Sequence, residues 1–373
     1  MLDFFSRLRC EIILKFDFIT LKGINIQTLT QLIVVTGAYG FIGSCMVSYL
    51  NKQGITDVVA VDDTLQFHKA VNLSGKKCVE LIDRKIFIAW LSRSAQKVEA
   101  VFHLGARTDT TEFDYAIHKK WNLEYSKSIF KICARHDIPL IYASSAATYG
   151  NGENGFEDTP DTMPFLLKPL NPYGVSKNEF DKWVLNDERR MTNDEQIKRS
   201  SFIVHRSSFK WIGLKFFNVY GPNEYHKGRM ASTIFHFFNQ IKNKGAVNLF
   251  ESHKEGIDNG EQKRDFIYVQ DVVEVLYWLY KNKTTVPCGI YNLGTGKARS
   301  FNDVVKNVFK NLDLTPHINY VPTPFDIRDT YQYFTEANMD KLKRTAGYSH
   351  DFKSLEAGIE DYVKNYLLPK KFY

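Results

Sequence analysis

A chain of 373 residues, 44% hydrophobic and 24% charged, has room for a large core and excludes a disordered or fibrous protein. Its net charge of +7, from 49 basic against 42 acidic residues, is scattered without long like-charge blocks, which argues against a nucleic-acid-binding stripe. No stretch has the ~18 apolar residues of a membrane span, and five cysteines at unpaired spacings read as reduced thiols with no metal site, so a soluble, cytoplasmic protein is expected.

Residues 1–30 hold short apolar pieces such as Ile12-Ile13-Leu14, interrupted by Lys15 and Asp17. With no cleavage pattern, they read as an extension ahead of the first strand. That strand is expected at Leu32-Ile33-Val34-Val35, followed by the turn Gly37-Ala38-Tyr39-Gly40-Phe41-Ile42-Gly43 opening a helix. In a dinucleotide-binding turn, Gly37 would provide the tight exit, Gly40 the close approach to phosphates and Gly43 the helix–strand contact. The helix N-terminus would then face the anion. A glycine-rich turn serving only packing is the alternative. Against it stands a second run, Val58-Val59-Ala60-Val61, ending in Asp62-Asp63, where such a fold places its ribose-binding acid.

Further strands are expected at Ala100–His103, Leu140–Ser144, Leu214–Val219 and Gly289–Leu293, with helical stretches between them. The alternation predicts an α/β fold, a Rossmann-type doubly wound parallel sheet. Ligands gather at the carboxyl ends of such strands. The glycine turn, Asp62, Leu104-Gly105-Ala106, Ser144-Ser145 and Asn218 to Pro222 are therefore expected to face one crevice. Asp187 to Ser208 lacks periodicity and reads as a surface excursion, and Glu251 to Lys263 as an exposed or ligand-facing loop.

Tyr173 and Lys177 are four residues apart, one helical turn, and so share a face. A nearby ammonium would draw the phenol down from about 10 and make it a usable base. An exposed Tyr/Lys pair is the plainer alternative. Ser145, at a strand end upstream, offers a hydroxyl for the same substrate oxygen, and Ser176 is expected to matter little.

The glycine turn, Ser145 and the Tyr173/Lys177 pair together resemble the extended short-chain dehydrogenase/reductase family, whose members act on nucleotide sugars. Ala143 to Gly150, Lys168 to Gly174, Phe217 to Pro222, His226 to Ser232, Arg264 to Val269 and Tyr331 to Thr335 narrow the likeness to the ADP-L-glycero-D-manno-heptose 6-epimerases. The resemblance runs from about residue 31 to the C-terminus and implies NADP (or NAD) as cofactor, an ADP-heptose substrate and a homo-oligomer, a pentamer in that family. It also implies a cofactor domain of residues 31–216, 265–295 and 332–348, and a smaller α/β substrate domain of 217–264, 296–331 and 349–373.

By the same resemblance Tyr173 and Lys227 are the two bases, Lys177 holds the nicotinamide ribose and Ser145 positions the reacting oxygen. Cofactor contacts fall on Gly37, Gly40, Phe41, Ile42, Gly43, Asp62, Asp63, Lys69, Arg84, Leu104, Gly105, Ala106, Arg107, Thr108, Asn122, Lys177, Val219 and Lys227. Substrate contacts fall on Ser145, Asn218, Arg229, His236, Phe250, Glu251, Ser252, His253, Arg264 and Tyr331. Read without the family, Lys227 is a surface charge, Arg264 a partner for Asp265 and His236 a packed histidine. The chain departs from the family pattern at Leu104, Arg107, Arg229 and Ser252-His253. Another nucleotide-sugar epimerase, such as a UDP-glucose 4-epimerase, and a non-catalytic cofactor sensor are the competing readings. The first would not need Lys227, and the second would have no use for Tyr173 and Lys177.

Overall fold

The computed structural model describes residues 31–161, 163–193, 208–325, 328 and 331–373, with side chains omitted for 188–193. The expected N-terminal extension and most of the polar stretch before Ser208 lie outside them. Leu32–Thr36 (β1), Val58–Asp62 (β2), Glu80–Asp83 (β3), Val98–His103 (β4), Leu140–Ser145 (β5) and Trp211–Phe216 (β6) belong to one seven-stranded sheet. Gly289–Leu293 (β10) completes it, in the order β10-β6-β5-β4-β1-β2-β3, and every pairing is parallel. The order reverses between β1 and β4, which makes their carboxyl ends the place for a ligand.

The strands are apolar because both faces are covered. In β1, Ile33 and Val35 enter a core with the helices Phe41–Lys52 and Val269–Lys281. Val34 enters the opposite core, with Arg84–Ser94, Tyr125–Arg135 and Pro172–Asn193. Two small sheets lie outside this framework: Asn218–Tyr220 (β7), Lys263–Tyr268 (β9) and Ala298–Ser300 (β11) form one. Val247–Phe250 (β8) and Ile318–Val321 (β12) form the other. Their core is shared with the helices Thr233–Lys244, Phe301–Lys310 and Leu355–Tyr362.

The structure corrects two local expectations. The single strand expected over Leu214–Val219 is two: Phe217 N–H donates to the Leu293 carbonyl at 3.0 Å, and Asn218 leaves the large sheet to pair with Phe266 of β9. The polar stretch from Asp187 is helical as far as Asn193. Phe180, Val184 and Leu185 are buried on one stripe, and a helix anchored by that stripe extends at little cost per added residue. Among the described residues all four cysteines are free, and no helix is long and apolar enough to cross a membrane.

Candidate active site

The glycine turn is held tightly to the sheet. Gly37 adopts φ +71°, and a Cβ there would lie 2.6 Å from the Gly105 Cα, while one on Gly43 would collide with the Gly37 carbonyl. Neither position tolerates a side chain, so β1, the turn and the helix Phe41–Lys52 approach each other as a dinucleotide site requires. Beside the turn, both oxygens of the Asp62 carboxylate accept backbone N–H groups, from Tyr39 at 2.8 Å and Asp63 at 2.7 Å. Burial nevertheless holds its carboxyl above the ordinary aspartate range. Asp63 pairs with Arg84 at 2.7 Å, and the Arg84 guanidinium lies over the Trp121 ring at 3.9 Å.

One cleft of about 460 Å³ follows these groups along the carboxyl edge of the sheet. It gathers Gly37, Gly40, Phe41, Ile42, Gly43, Asp62, Asp63, Lys69, Arg84, Leu104, Gly105, Ala106, Arg107, Thr108 and Lys227, all expected cofactor residues. Gln66, Trp121 and Tyr125 also line it and were not foreseen. Trp121 directly precedes Asn122, and a flat aromatic next to an expected contact was the signal available. Asn122 is buried behind the wall: its carbonyl accepts from Arg107 N–H at 2.8 Å, and its amide donates to Arg107 O and Ser176 Oγ, both at 3.0 Å. Val219 lies on β7 and is not among the cleft-lining residues.

Ser145 ends β5, and Tyr173 and Lys177 sit on the first turns of the helix Pro172–Asn193. Tyr173 hydrogen-bonds Ser145, which pulls its pKa down, but burial outweighs this and leaves the phenol above its ordinary value. The expected downward pull of Lys177 does not appear. Its ammonium donates to the Ala143 carbonyl at 2.9 Å, and burial lowers its own pKa to about 8. The buried Ser176 hydroxyl donates to the Tyr173 carbonyl at 2.7 Å while accepting from Asn122. Beneath this group lies a fully buried ion pair, Asp181 with Lys215 at 2.7 Å. Asp181 also accepts from Ser144 Oγ at 2.7 Å, and Lys215 donates to Thr148 Oγ1 at 2.7 Å.

Lys227 stands on the turn Tyr225–Met230, 5.4 Å from the Phe41 ring centre. Burial lowers its pKa and the nearby Glu224 opposes that shift. It is no free surface charge.

Four of the expected substrate residues, Phe250, His253, Arg264 and Tyr331, form a second cluster. Arg264, 8% exposed, has its guanidinium 5.7 Å from the Tyr331 ring centre, and Tyr331 packs against Phe250 at 6.1 Å and His253 at 6.3 Å. Arg264 donates to the carbonyls of Lys263 and Gln332. The Arg264–Asp265 pairing is not what forms: Asp265 accepts from Thr295, Gly296 and Ala337 N–H groups, and burial brings Arg264 down to about 10. His253 Nδ1 meets Tyr333 Oη at 2.9 Å. Ser252 is tied within its own loop by Asn259 and Lys254, and Glu251 is held to β12 through Val321. Arg229 is exposed and paired with Asp109 at 3.2 Å, His236 contacts the Arg229 carbonyl, and Asn218 is exposed on β7.

Fold and cleft thus define a dinucleotide-binding α/β protein, and Ser145, Tyr173 and Lys177 are not among the residues that line the cleft. The model of the NAD dependent epimerase/dehydratase family matches residues 33–294, and the chain belongs to that family. Among its relatives, the ADP-L-glycero-D-manno-heptose-6-epimerase of Fusobacterium nucleatum is 44% identical over 92% of this chain and 100% of its own length. That of Nitratidesulfovibrio vulgaris is 44% identical over 90% and 97%. The crystal structure of Helicobacter pylori ADP-L-glycero-D-manno-heptose-6-epimerase superimposes with a TM-score of 0.70 at 26% identity, covering 92% of this chain and 99% of that one. These likenesses agree with the narrower resemblance read from the sequence.

Proposed function

We propose that this protein epimerises carbon 6 of ADP-D-glycero-β-D-manno-heptose to the L-glycero form, supplying a lipopolysaccharide inner-core precursor. The carrying observation is that Lys227 lines the same cleft as the glycine turn. An epimerase that turns its keto sugar past one tyrosine has no need of that second group. NADP, which the glycine turn, Asp62, Lys69 and Arg84 would hold, would supply a reversible hydride acceptor for carbon 6. The chain supplies everything else. Tyr173 takes the carbon-6 hydroxyl proton of one epimer and Lys227 serves the other, Ser145 fixes the reacting oxygen, and Lys177 holds the ribose of the nicotinamide.

The glycine turn fits a pyrophosphate because its backbone is open where a Cβ would intrude. Lys69 and Arg84 on the cleft wall favour the additional phosphate of NADP over NAD, with Asp62 beside them. Arg264 suits the substrate diphosphate, since a guanidinium binds two phosphate oxygens in a fork, and no carboxylate among the described residues pairs with it. The large sheet is assigned the cofactor and the two small sheets the sugar nucleotide. A cytoplasmic location and a homo-oligomer belong to the same reading. Incubating the purified protein with ADP-D-glycero-β-D-manno-heptose and resolving the two epimers tests it. Conversion of UDP-glucose to UDP-galactose without heptose turnover would replace it with the 4-epimerase reading.

A further inference from the structure

Glu224 is fully buried. One oxygen accepts from Gly221 N–H at 3.3 Å and Ser232 Oγ at 2.6 Å, and the other accepts from Ser232 N–H at 2.5 Å. Gly221 and Ser232 are the two ends of the loop that carries the turn Tyr225–Met230. A single carboxylate therefore staples that loop shut. The path it holds includes one non-glycine residue at positive φ, Asn223 at +74°.

Asn72 ties the loop down from the other side. It is 1% exposed, and its amide donates to the carbonyls of Tyr39 at 2.9 Å and Asn223 at 3.0 Å and lies 3.1 Å from His226 Nδ1. Tyr39 belongs to the glycine turn, so one side chain joins the proposed cofactor cradle to the loop bearing Lys227. Within the loop Lys227 N–H donates to the Glu224 carbonyl at 2.9 Å.

We propose that Glu224 is a positioning residue for Lys227: by joining Gly221 to Ser232 it fixes, together with Asn72, where the Lys227 ammonium stands relative to the glycine turn. This rests on the reading of Lys227 as the second base. Neither contact reaches the cofactor or the sugar directly. Their effect passes through geometry, and a misplacement of about 1 Å costs on the order of 100-fold in rate.

The test is a double-mutant cycle of Glu224→Gln and Lys227→Met, assayed with ADP-D-glycero-β-D-manno-heptose. Glutamine keeps the volume but replaces one of the two acceptor oxygens with an N–H donor, so the Gly221 and Ser232 N–H groups can no longer both be accepted as before. Glu224→Gln is expected to lower kcat by about 10- to 100-fold, with KM and NADP affinity within about twofold, and to have almost no further effect in the Lys227→Met background. Equal losses in both backgrounds would make Glu224 a general scaffold residue and overturn the proposal, as would full activity of Glu224→Gln. Normal turnover by Lys227→Met alone would remove the second-base reading, and the proposal with it. If Glu224→Gln does not fold, Ser232→Ala, which removes one donor to the same carboxylate, goes through the same cycle with the same deciding outcomes.

Discussion

Around the glycine turn the cleft is shaped by backbone, whereas the Arg264 cluster is shaped by side chains that meet from β8, the loop after it, β9 and the segment at Tyr331. The first region has almost no freedom: side chains at Gly37 and Gly43 are excluded by the main chain itself. The second holds its shape through ring contacts and carbonyl acceptors, which other residues could in part replace. A site made of backbone tolerates no substitution but offers little selectivity between ligands of one class. A site made of side chains is where one sugar nucleotide is told from another.

Replacing the groups proposed to do chemistry is the hardest break, and it should not respect this division. Tyr173→Phe and Lys227→Met should each lower kcat by roughly 100-fold or more, the scale for losing a positioned acid or base, with ADP binding retained. Retained ADP binding, measured by calorimetry, separates lost chemistry from lost structure. Arg264→Lys keeps the charge but loses the planar fork, and about 1.5–3 kcal/mol of charged hydrogen bonding is at stake. We expect KM for the sugar nucleotide to rise about 10- to 100-fold while NADP affinity is unchanged.

Gly43→Ala asks the converse question. The collision with the Gly37 carbonyl should weaken NADP binding more than about tenfold, because the turn must shift before the helix can keep its place. Loss of sugar-nucleotide affinity to the same extent would show that the two regions are not separable. Lys69→Ala is the finest cut, expected to weaken NADP by a few-fold more than NAD by removing one charge from the phosphate's surroundings. Equal losses for both cofactors would take Lys69 out of the phosphate site.

The same division explains what could be read from the sequence. The glycine turn, Asp62 and six of the seven sheet strands follow from short-range pattern, because one strand and one turn supply all their constraints. The strand β3 was missed because it is a short edge strand with Leu81 exposed, and so carries no buried run. The small-sheet strands were missed because their pairings join distant segments, as β8 with β12 does. Arg264, Phe250 and Tyr331 were reachable only through resemblance to a family, since nothing local brings residues so far apart together. The contacts of Ser176 were hidden for a related reason. Its distant partner, Asn122, is visible only once the helix is laid against the Arg107 loop. For Tyr173, spacing alone could show that Lys177 shares its face but not that the ammonium turns to Ala143 instead.

The place of β10 at the end of the large sheet sets a timetable for synthesis. Its partner β6 is complete at Phe216, but Gly289 is not yet made, and the ribosome adds ~5–20 residues per second, so the gap lasts about 4–15 s. Throughout that interval the apolar edge of β6 has open backbone groups, the feature by which unfinished sheets pair with the wrong chain. Slow translation between these two strands would prolong the exposure, and yield of folded protein in a chaperone-depleted extract should fall with it.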